Sequence, residues 1–270
     1  MNSNNKAVFL TGAASGLGEA TAERLAADGY DLALVDLNEA GVTEIAERVA
    51  MTGVRVWSAG LDVSNQQQVA DAFAEAIAFH GSIWAVANAA GIARPSHFEE
   101  VTPADFERTF AVNVTGTFNV CQAAAAHFTD TGAGGRIVNV SSIAAFVGNP
   151  YTIAYASSKG AVDTLTRSLA RALAPRNINV NAVAPGLIRT PMWVEGGQWI
   201  ADNAESGPGG VARFQGVTSE QAFDNACNAI PLGRPQDASD VAAAIAHLIS
   251  QDTRNVTGQI LNIDGGLLMR

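Results

Sequence analysis

The chain has 270 residues, 48% hydrophobic and 16% charged, with no low-complexity tract, a composition that supports a large buried core and argues against disorder. Its formal charge of −10, with only 16 Lys and Arg, works against nucleic-acid binding, because phosphate contacts need a basic surface. The opening "MNSNNKAVFL" lacks the basic start and long apolar stretch of a secretory signal, and no uninterrupted apolar run of membrane-spanning length follows, so a soluble, cytoplasmic protein is expected.

The first predicted strand, 6–10, leads into "TGAASGLG" and a helix over 16–28. Gly12, Gly16 and Gly18 form a G-x-x-x-G-x-G arrangement around Ser15 and Leu17. Glycines here let the backbone approach a pyrophosphate, and the helix N-terminus offers N–H groups and a positive dipole end. The second strand, 31–35, ends at Asp36, eighteen residues beyond Gly18, where a carboxylate could accept bonds from adenosine ribose hydroxyls. Leu37 and Asn38 stand where an arginine could receive a 2′-phosphate, so the expected cofactor is NAD rather than NADP.

A helix over 39–52 and a strand over 54–60 precede Asp62 and Val63; a helix over 65–80 and a strand over 83–87 precede "NAAG", Asn88, Ala89, Ala90 and Gly91; at these two strand ends Asp62, Val63, Asn88, Ala89 and Gly91 are expected to contact the cofactor. A single helix is predicted over 103–129 and a strand over 135–141, ending at Ser141 and Ser142. In the helix over 153–173, Tyr155 and Lys159 lie one turn apart on one face, whereas Tyr151 sits at the entrance with no lysine one turn on. The strand over 178–184 runs into "PGLIRTPM", and a helix over 238–250 and a strand over 258–262 close the chain. Between them, 190–234 reads as a strand-free insertion, long enough to serve as a substrate-binding lid. Cys121 and Cys227 read as free buried thiols, and the four histidines lack metal-ligand spacing, so no metal is expected.

Strand-like runs alternating with helix-period segments predict an α/β fold. The predicted architecture is a Rossmann-type, doubly wound parallel sheet of seven strands with helices on both faces, one domain over 1–270, with ligand sites at the strand carboxyl ends.

Taken together, "TGAASGLG", "NAAG", Asn113 in "FAVNVTGTF", Ser142 in "IVNVSS", "YASSK" at 155–159 and "PGLIRTPM" resemble the short-chain dehydrogenases/reductases, single-domain NAD(P)-dependent enzymes, over residues 6 to about 192 and 231 to 266. The resemblance implies catalysis by Asn113, Ser142, Tyr155 and Lys159, with Ser142 thirteen residues before Tyr155 as in the family. It implies proton transfer by Tyr155 alongside hydride transfer to or from C4 of the nicotinamide. Ser142 would hold the substrate oxygen, Lys159 the nicotinamide ribose, and Asn113 a water linking Lys159 to solvent. Pro185, Gly186, Ile188 and Thr190 would form the nicotinamide loop, with the Ile188 N–H and the Thr190 hydroxyl meeting the carboxamide. Most relatives assemble as tetramers or dimers, and a homotetramer is expected here.

A phenol with a pKa near ~10 is a poor base at neutral pH. A lysine ammonium about 5 Å away would stabilise phenolate by about 3 kcal/mol at an effective dielectric near 20, roughly two pKa units. For the substrate, Tyr151, Met192 and Trp193, with Trp199, Ile200, Phe214 and Phe223 and with Val147 and Arg94 nearby, suggest a hydrophobic secondary alcohol or ketone, cyclic, aromatic, terpenoid or steroid-like. A sugar or polyol dehydrogenase and a 3-oxoacyl-type reductase are the alternatives within the family, and an NAD-binding sensor the alternative without catalysis.

Overall fold

The computed structural model describes residues 6–190, 198–199, 202 and 218–269. Seven strands form one parallel sheet in the order β3-β2-β1-β4-β5-β6-β7: β1 Ala7–Thr11, β2 Asp31–Asp36, β3 Val56–Gly60, β4 Ile83–Asn88, β5 Gly135–Val140, β6 Ile178–Pro185 and β7 Ile260–Ile263. The chain winds outward from β1 in one direction to β3, then crosses back and runs from β4 to β7. Thr11 is in register with both Val35 and Asn88, and Asn88 with Asn139, so the central strands end level with one another. The reversal between β1 and β4 opens a crevice at these ends.

Alternation along the strands feeds two cores. Val8, Leu10, Leu32, Leu34 and Val138 face α1 (Gly16–Ala27), α2 (Glu39–Ala50) and the late helix Ala238–Ile249. Ala7, Phe9, Ala33, Val35 and Ile137 face α3 (Gln66–His80), α5 (Thr117–Thr131) and α7 (Ile153–Leu173). With both faces covered, most strand positions are apolar, as expected of a parallel sheet.

The single helix expected over 103–129 is interrupted. α4 (Pro103–Phe110) and α5 are joined by a wider π-helical turn, Ala111–Gly116, which carries Asn113. Such a turn re-aims side chains without ending the helix, and it recurs at functional sites. Among the described residues, the short α-helices α6 (Ala144–Val147) and α8 (Ser219–Cys227), the latter inside the 190–234 segment, escaped the sequence reading as individual elements. Helix Ala238–Ile249 is α9. Of the thiols expected to be buried, Cys121 is, while Cys227, at the last position of α8, is only partly covered. No described helix is long and apolar enough to cross a membrane.

Candidate active site

A cleft of about 750 Å³ runs along the carboxyl ends of the strands, from Asp36, Leu37, Asp62 and Val63, past Gly12, Ser15, Gly16, Leu17 and Gly18, to Ser142, Tyr155 and Lys159. Ala89, Gly91, Pro185, Gly186, Ile188 and Thr190 also line it. The volume is that of a small-molecule site.

The glycine loop is shaped by close approach. Gly12 has φ +70°, and a Cβ there would lie 2.6 Å from Ala90 N across the crevice. A Cβ on Gly18 would fall 1.9 Å from the Gly12 carbonyl oxygen, so α1 packs onto the loop only with glycine at that position. Ser15, the N-cap of α1, places no side-chain bond on the first turn, so its own side chain leaves the helix N-terminus open where it meets the cleft.

At the outer end, Asp36 accepts from Ala14 N at 3.0 Å and from Asn38 N at 2.9 Å, which fixes its carboxylate between the glycine loop and the β2 turn. The Asn38 side chain is spent on capping α2 through Gly41 N, and Leu37 projects into solvent. Asp62 accepts from the Ser64 hydroxyl at 2.6 Å and from its N–H at 2.9 Å; with Arg108 3.7 Å away, these hold its carboxyl below the usual range.

At the inner end, α7 presents Tyr155 and Lys159 to the tip of β5. Lys159 is buried, and its Nζ donates to Val140 O at 2.7 Å and stands 5.6 Å from the Tyr155 ring centroid. Burial pulls the Lys159 ammonium down to about 8, partly opposed by Asp163 one turn further on. The Tyr155 phenol is pushed up by burial and drawn back in part by its hydrogen bond with Ser142. This differs from the sequence expectation of a lysine-acidified phenol. Desolvation dominates because both groups sit deep at the cleft floor, and the ammonium lies over the ring with a backbone carbonyl as its partner. Of the two serines, Ser142 meets Tyr155, whereas Ser141 is buried and donates to Lys159 O at 3.4 Å.

Two residues expected at the site stand behind the wall. Asn113 is fully buried; its Oδ1 accepts from Ile92 N at 2.8 Å, and its Nδ2 donates to Ile92 O and Ser158 Oγ, each at 2.9 Å. A Cβ on Gly91 would lie 3.3 Å from Asn113 Oδ1 and 3.4 Å from Lys159 Nζ, so the glycine leaves a gap bordered by both polar atoms. Asn88 is also buried, donating to Asn139 Oδ1 at 2.9 Å and to Cys121 Sγ at 3.4 Å, with the Asn139 amide passing on to Thr166. Asn88 thus ties β4 to β5 beneath the crevice rather than lining it.

Beyond Tyr155 the wall is built by Ile92, Ala93, Pro95, Ile143, Ala144, Val147, Asn149 and Thr152. Of these, only Val147 was anticipated; the others lie on the loop after β4 and on or beside a four-residue helix that carries no readable period. Tyr151 does not line the cleft. Its ring packs 6.0 Å from His97 and 5.7 Å from Trp199, and its carbonyl accepts from Ser96 N at 2.8 Å, tying three chain segments together. Arg94 points outward, paired with Asp105 at 2.9 Å. Phe223 is buried in α8. Met192, Trp193, Ile200 and Phe214 lie outside the described residues.

Among known families, residues 6–201 match the model described as short chain dehydrogenase, and residues 206–268 the one described as Enoyl-(Acyl carrier protein) reductase. L-2,3-butanediol dehydrogenase of Corynebacterium glutamicum is 36% identical over 98% of this chain and 99% of its own length. Glucose 1-dehydrogenase of Gluconobacter oxydans (strain 621H) is 35% identical over 98% of this chain and 92% of its own. The crystal structure of an NAD+-bound xylitol dehydrogenase superposes with a TM-score of 0.90 at 31% identity, covering 98% of this chain and all of that one.

Proposed function

The chain belongs to the short-chain dehydrogenase/reductase family of oxidoreductases, and from that premise we propose that it uses NAD to interconvert an uncharged, largely apolar secondary alcohol and its ketone. The observation that carries this reading is the meeting of Ser142, Tyr155 and Lys159 on the floor of a cleft whose other end is a glycine loop at an open helix N-terminus.

The residues fit a dinucleotide. The first turn of α1 would bind the pyrophosphate through its N–H groups, and Gly12 and Gly18 remove the side chains that would keep it away. Asp36 has used two of its roughly four acceptor positions on backbone, which leaves two for ribose hydroxyls. The charge on Asp36, beside an apolar Leu37 and an Asn38 committed to its helix cap, repels a 2′-phosphate, which favours NAD. The nicotinamide, when bound, gives or takes the hydride.

The chain's own residues manage the proton. In oxidation the Tyr155 hydroxyl, as phenolate, accepts the alcohol proton; in reduction it returns one to the developing alkoxide. Ser142 Oγ holds the substrate oxygen with a bond that strengthens as charge grows. Lys159 stabilises phenolate and binds the nicotinamide ribose, and the gap at Gly91 between Asn113 and Lys159 suits a relay to solvent. Pro185, Gly186, Ile188 and Thr190 position the carboxamide.

The substrate half of the wall favours an uncharged molecule. Among the described residues that line it beyond Lys159, polar side chains are few, and Asn149 Oδ1 already accepts from Tyr151 N. A polyol, the reading suggested by the glucose and xylitol dehydrogenases, would find few partners for its hydroxyls. Near the rim, Arg94 is paired with Asp105, and Arg189 with Glu220 and Asp224, which disfavours an anionic acyl carrier. A small diol or hydroxyketone, the class named for the butanediol dehydrogenase, fits the same wall. We further propose that residues 1–270 act as one domain with 190–234 as the substrate lid, in a cytoplasmic homotetramer.

The test is a panel of cyclic, aromatic and small vicinal-diol alcohols, with polyols as the contrast, assayed with NAD and with NADP by absorbance of the reduced nicotinamide. Turnover of apolar secondary alcohols with NAD is expected; faster turnover with NADP, or activity confined to polyols, would overturn the assignment.

A further inference from the structure

The loop after β6 is held from two sides. On the inner side Gly186 N donates to Ile263 O at 2.9 Å and Gln236 N to Leu187 O at 3.1 Å, and Ile188, buried, pairs with Gln236 as a parallel bridge. These bonds make the inner edge of the loop an extension of the sheet. Arg189 extends the other way, onto α8. Its guanidinium carbon stands 4.6 Å from the ring centroid of the buried Phe223, and its two terminal nitrogens are each 3.6 Å from a carboxylate, Nη1 from Glu220 and Nη2 from Asp224.

This contact is specific to an arginine. Glu220 and Asp224 are one turn apart on α8, a like-charge pair that destabilises a helix unless a cation lies between them. A planar guanidinium can lie over an aromatic face while its two edges reach different carboxylates, which a lysine cannot do. The N-terminus of α8 is fixed independently by a capping box between Thr218 and Gln221. The helix therefore offers Arg189 a formed surface.

We propose that Arg189 is a positioning residue that makes binding of the nicotinamide half of the cofactor depend on docking of α8. The inference rests on the reading of Pro185–Thr190 as the nicotinamide loop. Arg189 lies between Ile188 and Thr190, the two residues assigned to the carboxamide, so releasing its side chain from α8 frees the outer edge of the loop while the inner edge stays on the sheet. The adenosine end, at Asp36 and the glycine loop, lies on the other side of the crevice and is untouched by this contact.

Calorimetric affinities for NADH and for ADP-ribose, which lacks the nicotinamide, separate the two ends. In Arg189→Met, which keeps an apolar stem over Phe223 and loses the charge, the Kd for NADH is expected to rise about tenfold, with ADP-ribose unchanged within about twofold. Glu220→Gln with Asp224→Asn, both on the exposed face of α8, should shift NADH in the same direction by less, and Arg189→Lys should fall between Met and the unmodified chain. An unchanged NADH affinity in Arg189→Met, or equal weakening of both ligands, would overturn the proposal. If the unmodified protein binds ADP-ribose and NADH equally, the loop makes no nicotinamide contact, and the reading beneath the proposal fails with it.

Discussion

The two ends of the cleft handle charge in opposite ways. At the inner end Lys159 is buried and Tyr155 lines the cleft half-buried, and the cost of desolvation sets the direction of both groups: the ammonium is drawn down to about 8 and the phenol pushed up. At the outer end Asp36 lies near the surface and is steered by two backbone N–H groups, while Leu37 beside it is 66% exposed. A single substitution at the inner end therefore acts on the chemistry, where effects run to orders of magnitude. At the outer end it acts on binding, where water competes and effects are smaller.

The sharpest way to break that contrast is Tyr155→Phe. It removes the transferable proton and the bond to Ser142 but almost no surface, so turnover should fall by at least about 10³-fold while NADH binding stays within about twofold. Steady-state kinetics beside a fluorescence titration of NADH measure both. If more than a few per cent of activity survives, the phenol is not the acid–base group.

Lys159→Met sharpens the comparison through pH. In the unmodified protein the Lys159 ammonium, drawn down to about 8 by burial, adds a step to the pH profile of turnover near that pH, below the titration of the burial-raised phenol. With methionine only the burial-raised phenol titrates, so the step moves to higher pH and turnover at neutrality drops by about 10²-fold. Stability should move the other way. A lysine whose folded pKa lies below its value of 10.5 in the open chain destabilises the fold in full below about pH 8, and that cost fades as pH rises toward 10.5. Removing the ammonium should stabilise the cofactor-free protein at pH 7 by up to about 3 kcal/mol, read as a higher Tm. A lower Tm together with an unmoved pH profile would show that Lys159 is a structural residue.

The same contrast governs what the sequence disclosed. All seven strands were legible, β1 as 6–10 against Ala7–Thr11 and β6 as 178–184 against Ile178–Pro185, because a sheet covered on both faces needs unbroken apolar runs. The glycine loop and the Tyr155–Lys159 spacing were legible because each depends on local geometry. The wide turn at Asn113 was not, since one extra residue in a helical turn leaves the apolar period almost intact, and its cause lies in side-chain bonds to Ile92 and Ser158, distant in sequence. Nor was the direction of the Tyr155 shift. Attraction by a lysine can be counted from spacing, but burial comes from the whole of β5, α6 and α7 closing around the pair.

The smallest expected effect probes the outer end. Asp36→Asn keeps an oxygen that can accept from the Ala14 or Asn38 N–H, so the loop should hold its shape, but the charge and the second ionic acceptor are lost. Hydrogen bonds to a charged group are worth about 1.5–3 kcal/mol in a dry site, and exposure to water places this one at the low end, so the Kd for NAD should rise about tenfold. The affinity for NADP should improve at the same time, because the like-charge repulsion of the 2′-phosphate is removed while no cation is gained. The ratio of kcat/KM for the two cofactors is the decisive quantity. If it stays constant while both affinities fall, Asp36 acts by shaping the glycine loop through Ala14, and the selectivity proposed for NAD must come from another part of the cleft.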